Sequence, residues 1–90
     1  MYTLKGIVKA VEEPRELNTM VEGRKLFRRN IIVTDEETEK DICFVVFGFE
    51  GRLLKPEQGK RVECYFRIDS RQREGRWYTD CVLKTLTVIK

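Results

Sequence analysis

Between Val62 and Asp69 the chain alternates without a fault. Val62, Cys64, Phe66 and Ile68 fall on one side, and Glu63, Tyr65, Arg67 and Asp69 on the other. Successive side chains of an extended strand point to opposite faces, so this pattern predicts a strand with one face buried and one wet. The residues that follow predict its partner. Arg71-Gln72-Arg73-Glu74-Gly75-Arg76 sets three arginines against one acid, and Gly75 supplies the positive φ that hairpin loops need. Trp77 and Tyr78 come next, at the start of a strand over about Arg76–Ile89.

The rest of the chain reads the same way. A first strand covers about Tyr2–Glu12, and Gly6 inside it predicts a bulge or sharp bend. Pro14–Gly23, bounded by Pro and Gly, reads as a connection. A second strand runs over about Lys25–Thr34, the acidic Asp35–Asp41 forms a turn, and a third strand, Ile42–Phe49, is apolar on both faces. Such a strand is either covered on both sides or offers hydrophobic surface to a ligand. Glu50–Lys55 has room for one short helical turn before Pro56, and the fourth strand follows Gly59. Five strands, nearly no helix and one longer break between the third and fourth predict a single all-β domain over residues 1–90: a small five-stranded barrel, closed so that no edge is left exposed.

Composition excludes several classes. A 41% hydrophobic fraction is too high for a disordered chain, and 37% charged residues are too many for a membrane protein. No run approaches the ~18 apolar residues of a membrane-spanning helix. The N-terminus alternates instead of presenting an apolar signal core, which predicts a cytoplasmic protein without a membrane partner. Net charge is only +3, but its distribution is polar: Arg24–Arg29 holds four basic residues and no acid, whereas Asp35–Asp41 holds five acids and one lysine.

Catalysis finds no foothold. There is no histidine, no G-x-S-x-G, no phosphate-binding P-loop and no G-x-G-x-x-G, so no enzyme is expected. Cys43, Cys64 and Cys81 are odd in number, lack C-x-x-C spacing and fall within predicted strands; buried, reduced thiols are expected, with no disulfide, metal or cofactor. The acid run lacks the ligand-and-glycine spacing of a calcium loop and reads as a solvated turn.

Positive charge beside flat aromatic surface suits a single-stranded nucleic acid, whose phosphates need charge and whose unstacked bases need π-faces. The candidate phosphate contacts are Arg24, Lys25, Arg28, Arg29, Arg67, Arg71, Arg73 and Arg76. The candidate stacking residues are Trp77, Phe47 and Tyr65. Trp77 and Tyr78 are adjacent and must point to opposite sides of their strand, so Trp77 is either the stacking residue or a core residue closing the barrel end. Phe47 is likewise either core or a platform at the middle of the face.

Gly6, Glu13-Pro14, Gly23, Ile32-Val33-Thr34, Phe47-Gly48, Gly59-Lys60-Arg61-Val62 and Gly75-Arg76-Trp77-Tyr78-Thr79-Asp80, in that order, resemble the bacterial single-stranded DNA-binding protein family. Ile42-Cys43-Phe44 and the Gly-Arg-Trp-Tyr-Thr-Asp run are more similar still to a family of short OB-fold proteins of unknown function. The resemblance implies an OB fold, binding of single-stranded DNA (with RNA as the other possibility), and assembly into dimers or tetramers. The chain departs from the family at Lys40-Asp41-Ile42-Cys43, where a stacking aromatic is often found, and in its acidic turn. The alternative of a different class is an OB module for protein interaction, using the apolar third strand.

Overall fold

Six strands make up the computed structural model, which describes residues 1–90: β1 (Tyr2–Val11), β2 (Arg15–Val21), β3 (Arg24–Asp35), β4 (Asp41–Phe49), β5 (Arg61–Arg73) and β6 (Arg76–Val88). They form one sheet in the order β1-β5-β6-β4-β3-β2, and β1 also pairs with β3. Five strands therefore close into a ring and β2 hangs outside it on β3. All ring pairings are antiparallel except β4–β6, which is parallel and joins the two halves through Phe44–Cys81 and Val45–Val82. This closed all-β ring is the small barrel that the strand pattern predicts, and it is of the OB-like type that the resemblance implies.

β1 closes the ring by serving two partners. Tyr2–Ile7 pairs with β5, and Gly6–Val11 pairs with β3. The strand crosses from one to the other at Gly6, which is buried. A Cβ there would overlap the Thr34 carbonyl oxygen and come within 2.8 Å of Val33 Cγ1. The bend expected at this glycine is thus a close backbone approach that no side chain would permit.

The core follows the alternation. Val8, Ile31, Val33, Phe44, Val46, Val62, Cys64, Phe66 and Leu83 fill the interior. Phe44 and Phe66 meet edge to face, with ring centroids 4.9 Å apart. Ile68 continues the inward parity of β5 but is 48% exposed, because the β5–β6 hairpin runs on past the barrel wall.

Two expectations need correction. The Pro14–Gly23 connection contains a strand, β2, so the sheet has six strands and not five. β2 pairs with β3 at Arg15–Arg28 and Glu16–Phe27 and, after a register shift, at Met20–Lys25 and Val21–Arg24. Its turn is Glu22-Gly23, with φ of 53° and 75°. Positive φ at both central residues marks the two-residue hairpin turn whose twist matches the strands it joins. The second correction is at Glu50–Lys55, which forms turns and bends and no helical turn.

Candidate nucleic-acid interface

The outer surface of β3, β4, β6 and β5 is one continuous face, and cross-strand register decides which side chains share it. Arg28 stands opposite Phe47 and Asn30 opposite Val45; Val45 lies beside Val82. Arg67 stands opposite Val82, Asp69 opposite Asp80, Arg71 opposite Tyr78 and Arg73 opposite Arg76. Directly opposed residues project to the same side. The face therefore carries Arg24 and Arg28 from β3, Phe47 and Phe49 from β4, Tyr78 and Asp80 from β6, and Arg67, Arg71 and Arg73 from β5.

Asp80 is the centre of this arrangement. Its Oδ1 lies 3.4 Å from Arg28 Nη2 and its Oδ2 accepts a hydrogen bond from Arg71 Nη1 at 2.8 Å. Each guanidinium also borders a ring: Arg28 Cζ is 5.9 Å from the Phe47 centroid and Arg71 Cζ is 5.9 Å from that of Tyr78. Arg24 lies over Phe49 at 3.9 Å. Such arginines are held over aromatic faces by cation–π attraction while most of their N–H donors stay available. Of the remaining cations, Arg67 pairs with Asp69 at 2.8 Å, whereas Arg73 and Arg76 at the hairpin tip form no ion pair.

Not every predicted residue belongs here. Lys25 has the opposite parity on β3 and pairs with Glu16 of β2 at 3.5 Å. Tyr65 faces outward, but its register neighbours are Thr3 and Thr85, on the β1 side of the barrel. Phe47 is 45% exposed and so is not a core residue. Trp77 is 69% exposed, which removes the barrel-closing alternative. It stands opposite Gln72, on the reverse side of the hairpin from Tyr78 and Asp80. Arg29 corrects the phosphate-rim expectation: it is only 7% exposed, with its guanidinium turned into the barrel end, because it shares the inward parity of Ile31 and Val33.

Tyr78, Asp80 and Phe49 belong to the face although their residue types alone did not single them out. The signal lay in Glu74-Gly75, with φ of 52° and 78°. A two-residue turn fixes the register of everything behind it, so Arg73–Arg76 and then Arg71–Tyr78 follow from the turn alone.

The acidic turn is tied down by its own network. Asp35 accepts from the Glu37 backbone N–H at 3.1 Å and from Thr38 Oγ1 at 2.8 Å. Arg61 donates twice to Glu36, at 2.9 Å each, and this holds the Glu36 carboxyl below its ordinary range. Lys9 and Thr34 do the same for Asp41. No group of three or more His, Cys, Asp or Glu side chains is arranged to hold a metal ion. The three thiols are free, and burial raises all of them, Cys64 to about 11. Contrary to the expectation of uniform burial, Cys43 is exposed on the outer face. No helix is long and apolar enough to cross a membrane. Comparison of the chain with family models, with curated proteins and with solved structures finds no match to any of the three.

Proposed function

We propose that this chain binds single-stranded nucleic acid, without catalysis, across the outer face of β3, β4, β6 and β5. The observation that supports this reading is Asp80 flanked by Arg28 and Arg71, each beside an exposed ring, Phe47 and Tyr78. Asp80 orients the two guanidiniums and occupies one donor of each, leaving the others for phosphates. The rings accept bases, since stacking on an aromatic works for any base. Arg24, Arg73 and Arg76 extend the positive surface to both ends. Single-stranded DNA is favoured over RNA by the resemblance in sequence alone.

The experiment is an anisotropy titration with labelled oligo(dT), oligo(U) and duplex DNA at two salt concentrations. Single-strand affinity should fall with salt with a slope of about −0.7 per phosphate neutralised, near −3 for four or five contacts. No binding of any single strand at low salt rejects the proposal.

A second reading, an oligomer or protein-docking module, is favoured by β2. This strand pairs only with β3, so its outer edge offers free backbone donors and acceptors, with Met20 and Val21 exposed on it. Sedimentation separates the two: a monomer at high concentration that still binds oligo(dT) removes the oligomer reading.

A further inference from the structure

Away from that face, where β1 ends, β3 begins and the β4–β5 connection crosses, lies a cleft of about 320 Å³ lined by Pro14, Phe27, Arg29, Glu50, Leu53 and Lys55 among others. Arg29 forms its charged floor. Its Nε donates to the Glu12 carbonyl at 3.1 Å and its Nη1 to the Leu54 carbonyl at 3.0 Å. These two bonds use two of five donors, and both acceptors are neutral. No carboxylate pairs with this guanidinium, although it is the one charged side chain withdrawn into the protein. A charge taken out of water is costly unless an opposite charge meets it. Lys55 forms no ion pair either, so the lining carries two cations against the single carboxylate of Glu50. The walls between them are apolar: Pro14, Phe27 and Leu53.

We infer that this cleft is a binding site for a small organic anion, a phosphate or carboxylate carried on a flat apolar group. The planar fork of Arg29 matches the paired oxygens of either head, and Lys55 supplies a second positive charge at the mouth. The body of the ligand lies against Phe27, Pro14 and Leu53. A volume near 300 Å³ is at the small end of ligand sites, which limits the ligand to about one ring and its charged group. The site is independent of the nucleic-acid face, because Phe27 and Arg29 have the opposite parity on β3 from Arg24 and Arg28.

Amide and arginine Nε–H shifts in a ¹⁵N-labelled protein, titrated with phenyl phosphate, benzoate, benzyl alcohol and inorganic phosphate, test this. Phenyl phosphate or benzoate should shift Phe27, Gly51, Leu53 and the Arg29 Nε–H with a Kd of about 1 mM or better. The tighter of the two identifies the head group. Benzyl alcohol and inorganic phosphate should each bind at least roughly tenfold more weakly, lacking the charge and the ring respectively. Arg29 is too buried to replace safely, so the variants are at the mouth. Lys55→Ala should weaken the aromatic anion about two- to fivefold, and Glu50→Gln should strengthen it by a similar factor. Four results overturn the inference: no shifts at about 10 mM, shifts confined to the outer face around Phe47 and Tyr78, equal binding of the neutral or ring-free probe, or an affinity that neither variant moves. The oligonucleotide titration reads the outer face and stands or falls separately.

Discussion

Arg28 and Arg29 are consecutive on β3 and belong to opposite sides of it. Arg28 lies 3.4 Å from Asp80 on the outer face, whereas Arg29 turns into the barrel end and donates to the Leu54 carbonyl at 3.0 Å. One residue of parity separates a cation on the outer face, beside Asp80, from one that joins the end of β1 to the β4–β5 connection and floors the cleft there.

Arg29→Ala should therefore act on stability. It strands two carbonyl acceptors, at an expected loss of about 2–3 kcal/mol. In a domain of this size that is roughly 10 °C or more of melting temperature. Arg28→Ala should cost less, about 1 kcal/mol, because its pair with Asp80 is only partly buried and Asp80 keeps Arg71. Thermal melts of the two variants read the difference directly.

The rings should separate in the same manner. Phe47→Ala and Tyr78→Ala are each expected to weaken oligo(dT) binding by about 1–3 kcal/mol and to leave the salt slope unchanged, since stacking releases no counterions. Trp77→Ala, on the reverse of the hairpin, should cost less than either. An affinity series on folded variants decides the order.

Asp80→Asn removes the carboxylate that pairs with both Arg28 and Arg71. Affinity for single strands should rise and the salt slope should steepen by about 0.7, one further phosphate neutralised. Titrations at three salt concentrations check it, and a weaker complex would show that Asp80 acts mainly by orienting Arg28 and Arg71.

Cys64 gives the fold an alkaline limit. Burial raises its thiol from an ordinary 9.0 to about 11, so the folded chain holds this proton after the unfolded chain has lost it. The stability this contributes is full below pH 9 and is lost as pH climbs through about 11. Urea midpoints across that range should fall. A thiol reagent at neutral pH should modify exposed Cys43 first and Cys64 last, and should find three thiols after denaturation.

Gly6→Ala should be the most damaging small change, because its methyl group meets the backbone of Thr34 and not a flexible side-chain end. A loss of about 1–3 kcal/mol, or failure to fold, is expected, read by urea denaturation.

Much of the barrel was legible in the chain because alternation fixes what faces inward: Val62, Cys64 and Phe66 on β5, and Ile31 and Val33 on β3, are buried as the pattern requires. The pattern overreached at Ile68, where alternation continues but the barrel does not. β2 was hidden because Arg15–Val21 has almost no buried side chains, and a strand without a buried face carries no period-2 signal. Its clue was the second Glu-Gly turn, Glu22-Gly23, alike in backbone to Glu74-Gly75. The site was partly legible for the same reason. Residue type marked Arg28, Phe47 and Arg71, but only cross-strand register told that Tyr78 and not Trp77 stands with them, and that Arg29 does not.

The division of β1 between two partners sets an order of events as well as a shape. Its first half waits for Arg61–Phe66 and its second for Ile31–Asp35, and the ring is not complete until Cys81 and Val82 lie beside β4. Each of these pairings closes a long loop, which places the protein among slow-folding, high-contact-order topologies, in the millisecond-to-second range. As the chain is synthesised, the β2–β3–β4 meander is free to form early, with β1 added along β3 alone. The Tyr2–Ile7 half of β1 then stays an unpaired edge until β5 arrives, and over that interval the nascent chain is most open to pairing with the wrong strand.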